Sequence, residues 1–397
     1  MNNPNENKKK LFEINKEEKI NKKLIGKKHL RPEDKNENMN SNNIKEKNNE
    51  ESNYSNQFIK SNNSPDNMTF LTKLCDSYVG LNYDNSFIIL KALENCYFLI
   101  YISNKKSINC YNLLYMEITA KINLSDDFYS ISCLKHFYDK KNNRDLILVI
   151  SHFNHLLKIW NLSNWDCICT IQKFNKIGVS FSALMMEING EINIVTSNAY
   201  SEPIKFFDLN GNKIKEINNS TFDNTIFIEN YYDKNKNTNY IICINKYELK
   251  NSRNYAKSYN IENNELYHEY YNNKNYSIND ITIFESGNIT KLMGSYNDKT
   301  IRIWDFHSGT ELSTIYLYHD ITSICLWDDN NIFIGTYDGE LLLYNLENKI
   351  IKKIQNKNHH NNPISTIKKF RHPIFGEFLL TQGYKKDKIN IWIRNNS

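Results

Sequence analysis

The sequence predicts an all-β protein: seven antiparallel four-stranded sheets over residues 68–397, behind a disordered tail over 1–67. Three observations carry that expectation. From Phe70 onward, short alternating apolar runs recur between clusters of Asn, Asp, Gly and Ser, with no helical periodicity of useful length. An aromatic followed by Asp or Asn ends a strand at Tyr111-Asn112, Trp160-Asn161, Phe207-Asp208, Tyr259-Asn260, Trp304-Asp305 and Tyr344-Asn345, and Trp392 closes a seventh such strand. The spacings of 49, 47, 52, 45, 40 and 48 residues suit a four-stranded unit of about 40–45 residues lengthened by loops.

Composition agrees. Aromatic residues make up 13% of the chain, with 26 Tyr and 20 Phe, and such side chains favour a pleated, half-buried surface. Fifty basic and 45 acidic side chains leave a net charge of +5, a mixed surface that gives nucleic-acid binding no special support. Asn, Lys, Ile and Tyr are abundant in every region. That evenness reads as a genome-wide codon bias, so patches rich in Asn or Lys carry little functional meaning.

The tail holds 14 basic and 11 acidic residues and too little apolar surface to offset its ordering entropy. Within it, Leu11, Phe12, Ile14, Ile20, Leu24 and Ile25 fit two readings, a helix that docks on a partner or a transient solvated helix. The paired lysines also match a nuclear-import signal.

The clearest repeat lies around Lys299-Thr300-Ile301-Arg302-Ile303-Trp304-Asp305. Leu292 and Met293 lead into a polar turn, Ile301 and Ile303 alternate with Arg302 and Trp304, Ser308-Gly309 turns the chain, and a short strand follows to Tyr316. This stretch resembles a blade of the WD-repeat β-propeller family. The resemblance covers 70–397 and implies a seven-bladed antiparallel β-propeller.

Weaker copies fill the other repeats. The second runs from Ile131 to Ile171, the third from Phe181 to Ile217, the fourth from Thr225 to Tyr271 and the sixth from Ile321 to Ile354. The first begins with Phe87 to Leu93 and Cys96 to Ile102. The seventh has only three strands, ending with Lys388 to Ile393, and an open edge there would invite aggregation. The run Phe70 to Cys75 has no other blade to join, so it is expected to supply the missing strand and close the ring.

In WD-repeat blades, a His from the loop leading into the blade, a Ser/Thr on the second strand, an Asp in the following turn and the Trp of the third strand form a buried network. The resemblance places these roles on His319, Thr336, Asp338 and Tyr344 in the sixth repeat, and on His360 (or His359), Thr381, Asp387 and Trp392 in the seventh. In the fifth it places them on Ser295, Asp298 and Trp304, with no preceding His. The roles are structural.

Motifs for chemistry are weak. Cys167 and Cys169 share one face of a strand and read as packing. His152 and His155 lack the further ligands of a zinc site, and His359-His360 reads as a loop pair. Neither a phosphate-cradling Gly loop nor a nucleophile elbow occurs, and Asp126-Asp127 and Asp328-Asp329 read as loop carboxylates. The paired arginines of lipid-binding propellers are absent, and His307 stands where cullin-ligase receptors often carry Arg or Lys. No catalytic residue, cofactor or metal is therefore expected.

The eight cysteines form no C-x-x-C pair, no apolar stretch follows the basic residues near Met1, and the longest apolar run, Cys96 to Ile102, is too short to span a bilayer. The expectation is an intracellular protein of cytoplasm or nucleus, monomeric on its own within a hetero-complex. Its function is then a non-enzymatic scaffold for protein partners, and the alternative is a subunit of an RNA-associated assembly in ribosome biogenesis or RNA processing. Binding residues concentrate on loops held by a rigid frame. The expected partner face carries the turns between second and third strands and the loops between blades, with Tyr276, Tyr318, His319, His155, Tyr384 and Lys385.

Overall fold

The computed structural model describes residues 68–78 and 87–394, apart from 94–95, 105, 114–116, 125–130, 152–154, 173–179, 199–201, 219–224, 246–254, 272–275, 355–359, 373–375 and 385. The tail over 1–67 and Lys385 lie outside the described residues. Seven four-stranded antiparallel sheets form the blades of a β-propeller. Blades one to six span 87–123, 131–172, 180–217, 225–271, 278–316 and 321–353, and in each the spatial order of strands is the chain order. Blade seven differs. Its first three strands are Ile364–His372, Gly376–Gly383 and Lys386–Arg394, and its outermost strand is Met68–Tyr78. That strand runs antiparallel to Lys386–Arg394, from the pair Met68 with Arg394 to the pair Tyr78 with Lys386.

The core is divided among the seven seams between blades. Leu146, Leu148 and Ile150 on the second strand of blade two face blade three, where Ala183, Met185 and Ile194 meet them. The alternate residues Ile147 and Val149 face blade one and pack on Ile100, Ile102 and Ile108. Because a strand shows successive side chains to opposite faces, a strand between two seams must be apolar on both. This explains why Leu146 to Ile150 reads as a continuous apolar run. The last seam joins the chain ends: Phe87, Leu99, Tyr101 and Tyr111 of blade one pack on Phe378, Leu380, Ile389 and Ile391 of blade seven.

The seam between blades four and five is aromatic. Tyr231, Tyr240, Tyr270 and Phe306 fill it, with ring centroids 5.1 Å apart for Tyr231–Phe306 and 5.3 Å for Tyr240–Phe306. Such rings add edge-to-face attraction to their burial. The first strands of these two blades approach each other less closely than those of blades five and six.

The aromatic-then-Asp/Asn pairs have a local cause. The aromatic packs in a seam, and the Asp or Asn turns the chain back. Asp305 accepts the His307 and Ser308 amides, both at 2.9 Å. Asn161 accepts that of Ser163 at 3.0 Å, Asp208 that of Asn210 at 2.9 Å, and Asn345 that of Asn348 at 2.9 Å. These are Asx turns, which mimic a backbone turn with a side-chain oxygen. At Tyr111, Trp160, Phe207, Tyr259 and Trp304 the ladder to the fourth strand also slips by one residue. A second slip recurs near the start of the first strand in blades two to seven, as between Ile321 and Ser323. Each bulge adds local twist, which lets a four-stranded sheet turn from channel to rim.

Side chains near these inner bulges tie neighbouring blades together. Asn279 donates to the Ile321 carbonyl at 2.7 Å, and Asp280 accepts the Ile324 amide at 2.9 Å. Thr322 and Ser323 donate to the Ile364 carbonyl at 2.7 and 2.9 Å.

Candidate functional site

One face of the ring carries the turns between second and third strands and the connections between blades. In blade seven the structure brings the four expected residues together. Trp392 Nε1 donates to Thr381 Oγ1 at 2.9 Å, and Thr381 Oγ1 lies 2.8 Å from His360 Nε2. His360 Nδ1 stands 3.6 Å from Asp387 Oδ2, with both side chains buried. That last pair lies just beyond hydrogen-bond distance, and Asn390 Nδ2 also approaches His360 Nε2, at 3.4 Å. Burial acts to raise the Asp387 pKa, but His360, the Lys388 amide at 2.7 Å and Asn362 at 3.3 Å outweigh it and hold the carboxyl below its ordinary value. The next blade-connecting segment is seated on its neighbour by Gly339. At φ +77° and with the His360 carbonyl oxygen 2.1 Å from where a Cβ would lie, the position admits only glycine without rearrangement.

In blade six the expected set does not assemble. Thr336 is buried, but its hydroxyl accepts the Glu340 amide at 3.0 Å. His319 instead faces Glu340, with Nδ1 3.8 Å from Oε2, Asp338 is exposed, and Tyr344 packs in the seam with blade five. With Tyr at the Trp position there is no indole N–H to organise the group. In blade five, Asp298 accepts the Thr300 hydroxyl at 2.5 Å and Arg302 Nη2 at 3.0 Å. Ser295 reaches the Asp280 carbonyl at 3.5 Å, and Trp304 packs on Tyr296 with centroids 5.7 Å apart. Arginine therefore takes the carboxylate where no histidine precedes the blade.

The expected partner residues are spread around this face. Tyr318 is 96% exposed. Tyr276 is half-buried against the aromatic seam, and Tyr384 is half-buried with its amide on the Pro363 carbonyl at 2.8 Å. His155 lies across the ring in the turn of blade two, half-buried with φ +50°. Burial and Lys205 push its pKa down against the pull of Glu202. Two tyrosines that the sequence did not single out join Tyr318. Tyr316 is 79% exposed and Tyr337 64% exposed, which makes these three the most exposed large apolar side chains among the described residues. The Tyr337 amide bonds the Asp320 carbonyl at 2.9 Å, so the turn of blade six is held against the segment that carries Tyr318.

The central channel offers a cavity of about 320 Å³ lined by Phe227, Glu229, Asp280, Thr282, Cys325 and Lys368, among others. Lys135 bridges to Glu229 at 3.2 Å from two blades away. Burial pushes the Cys325 and Cys169 thiols up to about 11, which keeps them protonated near neutrality. Among the described residues, no group of three or more His, Cys, Asp or Glu side chains is arranged to hold a metal ion. No protein-family model matches the sequence, and no curated protein matches it. The fold, a seven-bladed β-propeller, is what the chain shares with known architecture.

Proposed function

We propose that this chain is a propeller of the WD-repeat type that works without catalysis, holding protein partners within a larger intracellular assembly. The observation that carries the reading is the tyrosine cluster Tyr316, Tyr318 and Tyr337 on a rim fixed by backbone hydrogen bonds. Tyrosine offers a large contact area and a hydroxyl at low entropic cost, which is why it anchors protein interfaces. A monomer has little reason to hold three such rings in water. The neighbouring Lys299–Asp320 pair, 3.6 Å apart and half-exposed, suits the polar rim of such a contact.

The test is affinity purification of the tagged protein beside a Tyr318→Ala/Tyr337→Ala variant. Both side chains are exposed, so the variant keeps its fold, checked by thermal unfolding. Loss of the co-purifying proteins, at roughly 2 kcal/mol or more for an anchor residue, supports the reading. Full retention of every partner by the folded variant refutes this surface as the anchor.

A further inference from the structure

A second concave site lies on the opposite face, and its shape follows from hairpin lengths. The first and second strands are joined by two residues in blade three, Asn189 at φ +52° and Gly190 at φ +77°, the left-handed pair of a tight hairpin. In blades two and four the same connection has four residues, 140–143 and 234–237. The short hairpin between two taller ones leaves a notch of about 650 Å³, within the range of about 300–1,000 Å³ usual for ligand clefts.

The two flanking hairpins are near-copies. One reads Tyr138-Asp139-Lys140, the other Tyr232-Asp233-Lys234. In each the aspartate accepts amides of the turn: Asn142 at 3.1 Å for Asp139, and Asn235 at 2.9 Å for Asp233. In each the tyrosine hydroxyl donates at 2.5 Å to an asparagine with positive φ, Asn143 or Asn237. The rings are thereby fixed as the two walls. Counted from the start of its strand, blade three carries Glu187 at the position of the tyrosines. Tyr138, Glu187 and Tyr232 all line the notch. The Glu187 side chain is exposed and makes no hydrogen bond or ion pair among the described residues. Glu262 adds a second carboxylate, Lys140 a single opposing ammonium, and His136 is engaged by Asp145 at 2.7 Å.

We propose that this notch takes the basic side chain, arginine or lysine, of an extended peptide from a partner protein. A free carboxylate between two fixed tyrosine rings is complementary to a cation, through an ion pair below and cation–π contact at the sides. The amides of Asn189, Asn230 and Asn239, which also line the notch, can serve a peptide backbone that needs both donors and acceptors. The site is on the face away from the tyrosine cluster and does not rest on the reading above.

The probe is a dye-labelled octapeptide, Gly-Ser-Arg-Gly-Ser-Arg-Gly-Ser, titrated with the full chain by fluorescence anisotropy at low salt. Its neutral counterpart carries citrulline for arginine. Binding of the arginine peptide, roughly tenfold or more weakened by citrulline or by Glu187→Gln, is the expected result. Tyr138→Leu or Tyr232→Leu should each weaken it by about two- to fivefold. Glu191→Gln, which removes a carboxylate paired with Lys141 at 3.0 Å, should leave it unchanged. Equal binding of the two peptides, or indifference to Glu187→Gln in a folded variant, overturns the proposal. So does absence of peptide binding, and cross-links from the notch to Lys8–Lys10 of the same chain would then make the tail the occupant.

Discussion

Replacing Thr381 by valine removes one oxygen and leaves the volume nearly unchanged. In the structure that oxygen is bonded to Trp392 Nε1 at 2.9 Å and to His360 Nε2 at 2.8 Å, and all three side chains are buried. Thr381→Val therefore strands an indole N–H without access to water and leaves His360 Nε2 only the Asn390 amide, 3.4 Å away. A stranded group costs about 1–3 kcal/mol. The added methyl regains about 0.8 kcal/mol of burial. A net loss of about 1–2 kcal/mol is expected, read as a fall in the urea midpoint with the slope of the transition unchanged. Trp392→Phe in the Thr381→Val background should cost less than in the native protein, because the N–H it removes is already unpaired, and the coupling should reach about 1 kcal/mol or more. A loss within about 0.5 kcal/mol for Thr381→Val, the range of ordinary surface substitutions, or strict additivity of the two changes, would refute the view that these residues act as one network.

Gly339→Ala should destabilise the fold by about 2–4 kcal/mol, because the new Cβ meets the His360 carbonyl oxygen at 2.1 Å in a left-handed backbone. Thermal unfolding checks this, and a change below about 0.5 kcal/mol would contradict the seating of the blade-seven loop on that turn. Stability should also fall in acid. Burial acts to raise the carboxyls of Asp139 and Asp387, but their hydrogen bonds prevail and both lie below the ordinary value. A depressed folded pKa stabilises above the unfolded value of about 3.9 and is lost as pH drops through it toward the folded value. Through these carboxyls unfolding free energy should thus decline below about pH 4, on top of the earlier loss that the depressed His155 pKa brings below its unfolded value of about 6.5, and the acid decline should be smaller in Asp387→Asn. An equal decline in that variant would remove Asp387 from the explanation.

Much of the fold was legible because two local rules repeat. The aromatic that fills a seam and the Asx residue that turns the chain sit side by side, so Trp304-Asp305 and its copies mark each third strand. The strand Met68–Tyr78 was legible by counting, since it had no blade of its own and the seventh lacked an edge. The bulges were not. A one-residue slip between Ile321 and Ser323 leaves the alternation on either side intact. The network roles divided by blade. His360, Thr381, Asp387 and Trp392 meet, whereas Glu340 draws Thr336 and His319 away from Tyr344. Tyr316 and Tyr337 were hidden among 26 tyrosines, because only the folded rim decides which rings face water. The notch could have been found by aligning Tyr138-Asp139-Lys140 with Tyr232-Asp233-Lys234 and noticing the shorter Asn189-Gly190 between them.

The central claim, a scaffold for protein partners, is tested most directly by the native size of the tagged protein from its own cells, before and after nuclease digestion. The account predicts a large complex that survives digestion, with co-purifying proteins that depend on Tyr318 and Tyr337. A complex that collapses with nuclease would move the chain to an RNA-associated assembly, and a lone monomer in both runs would contradict the scaffold itself.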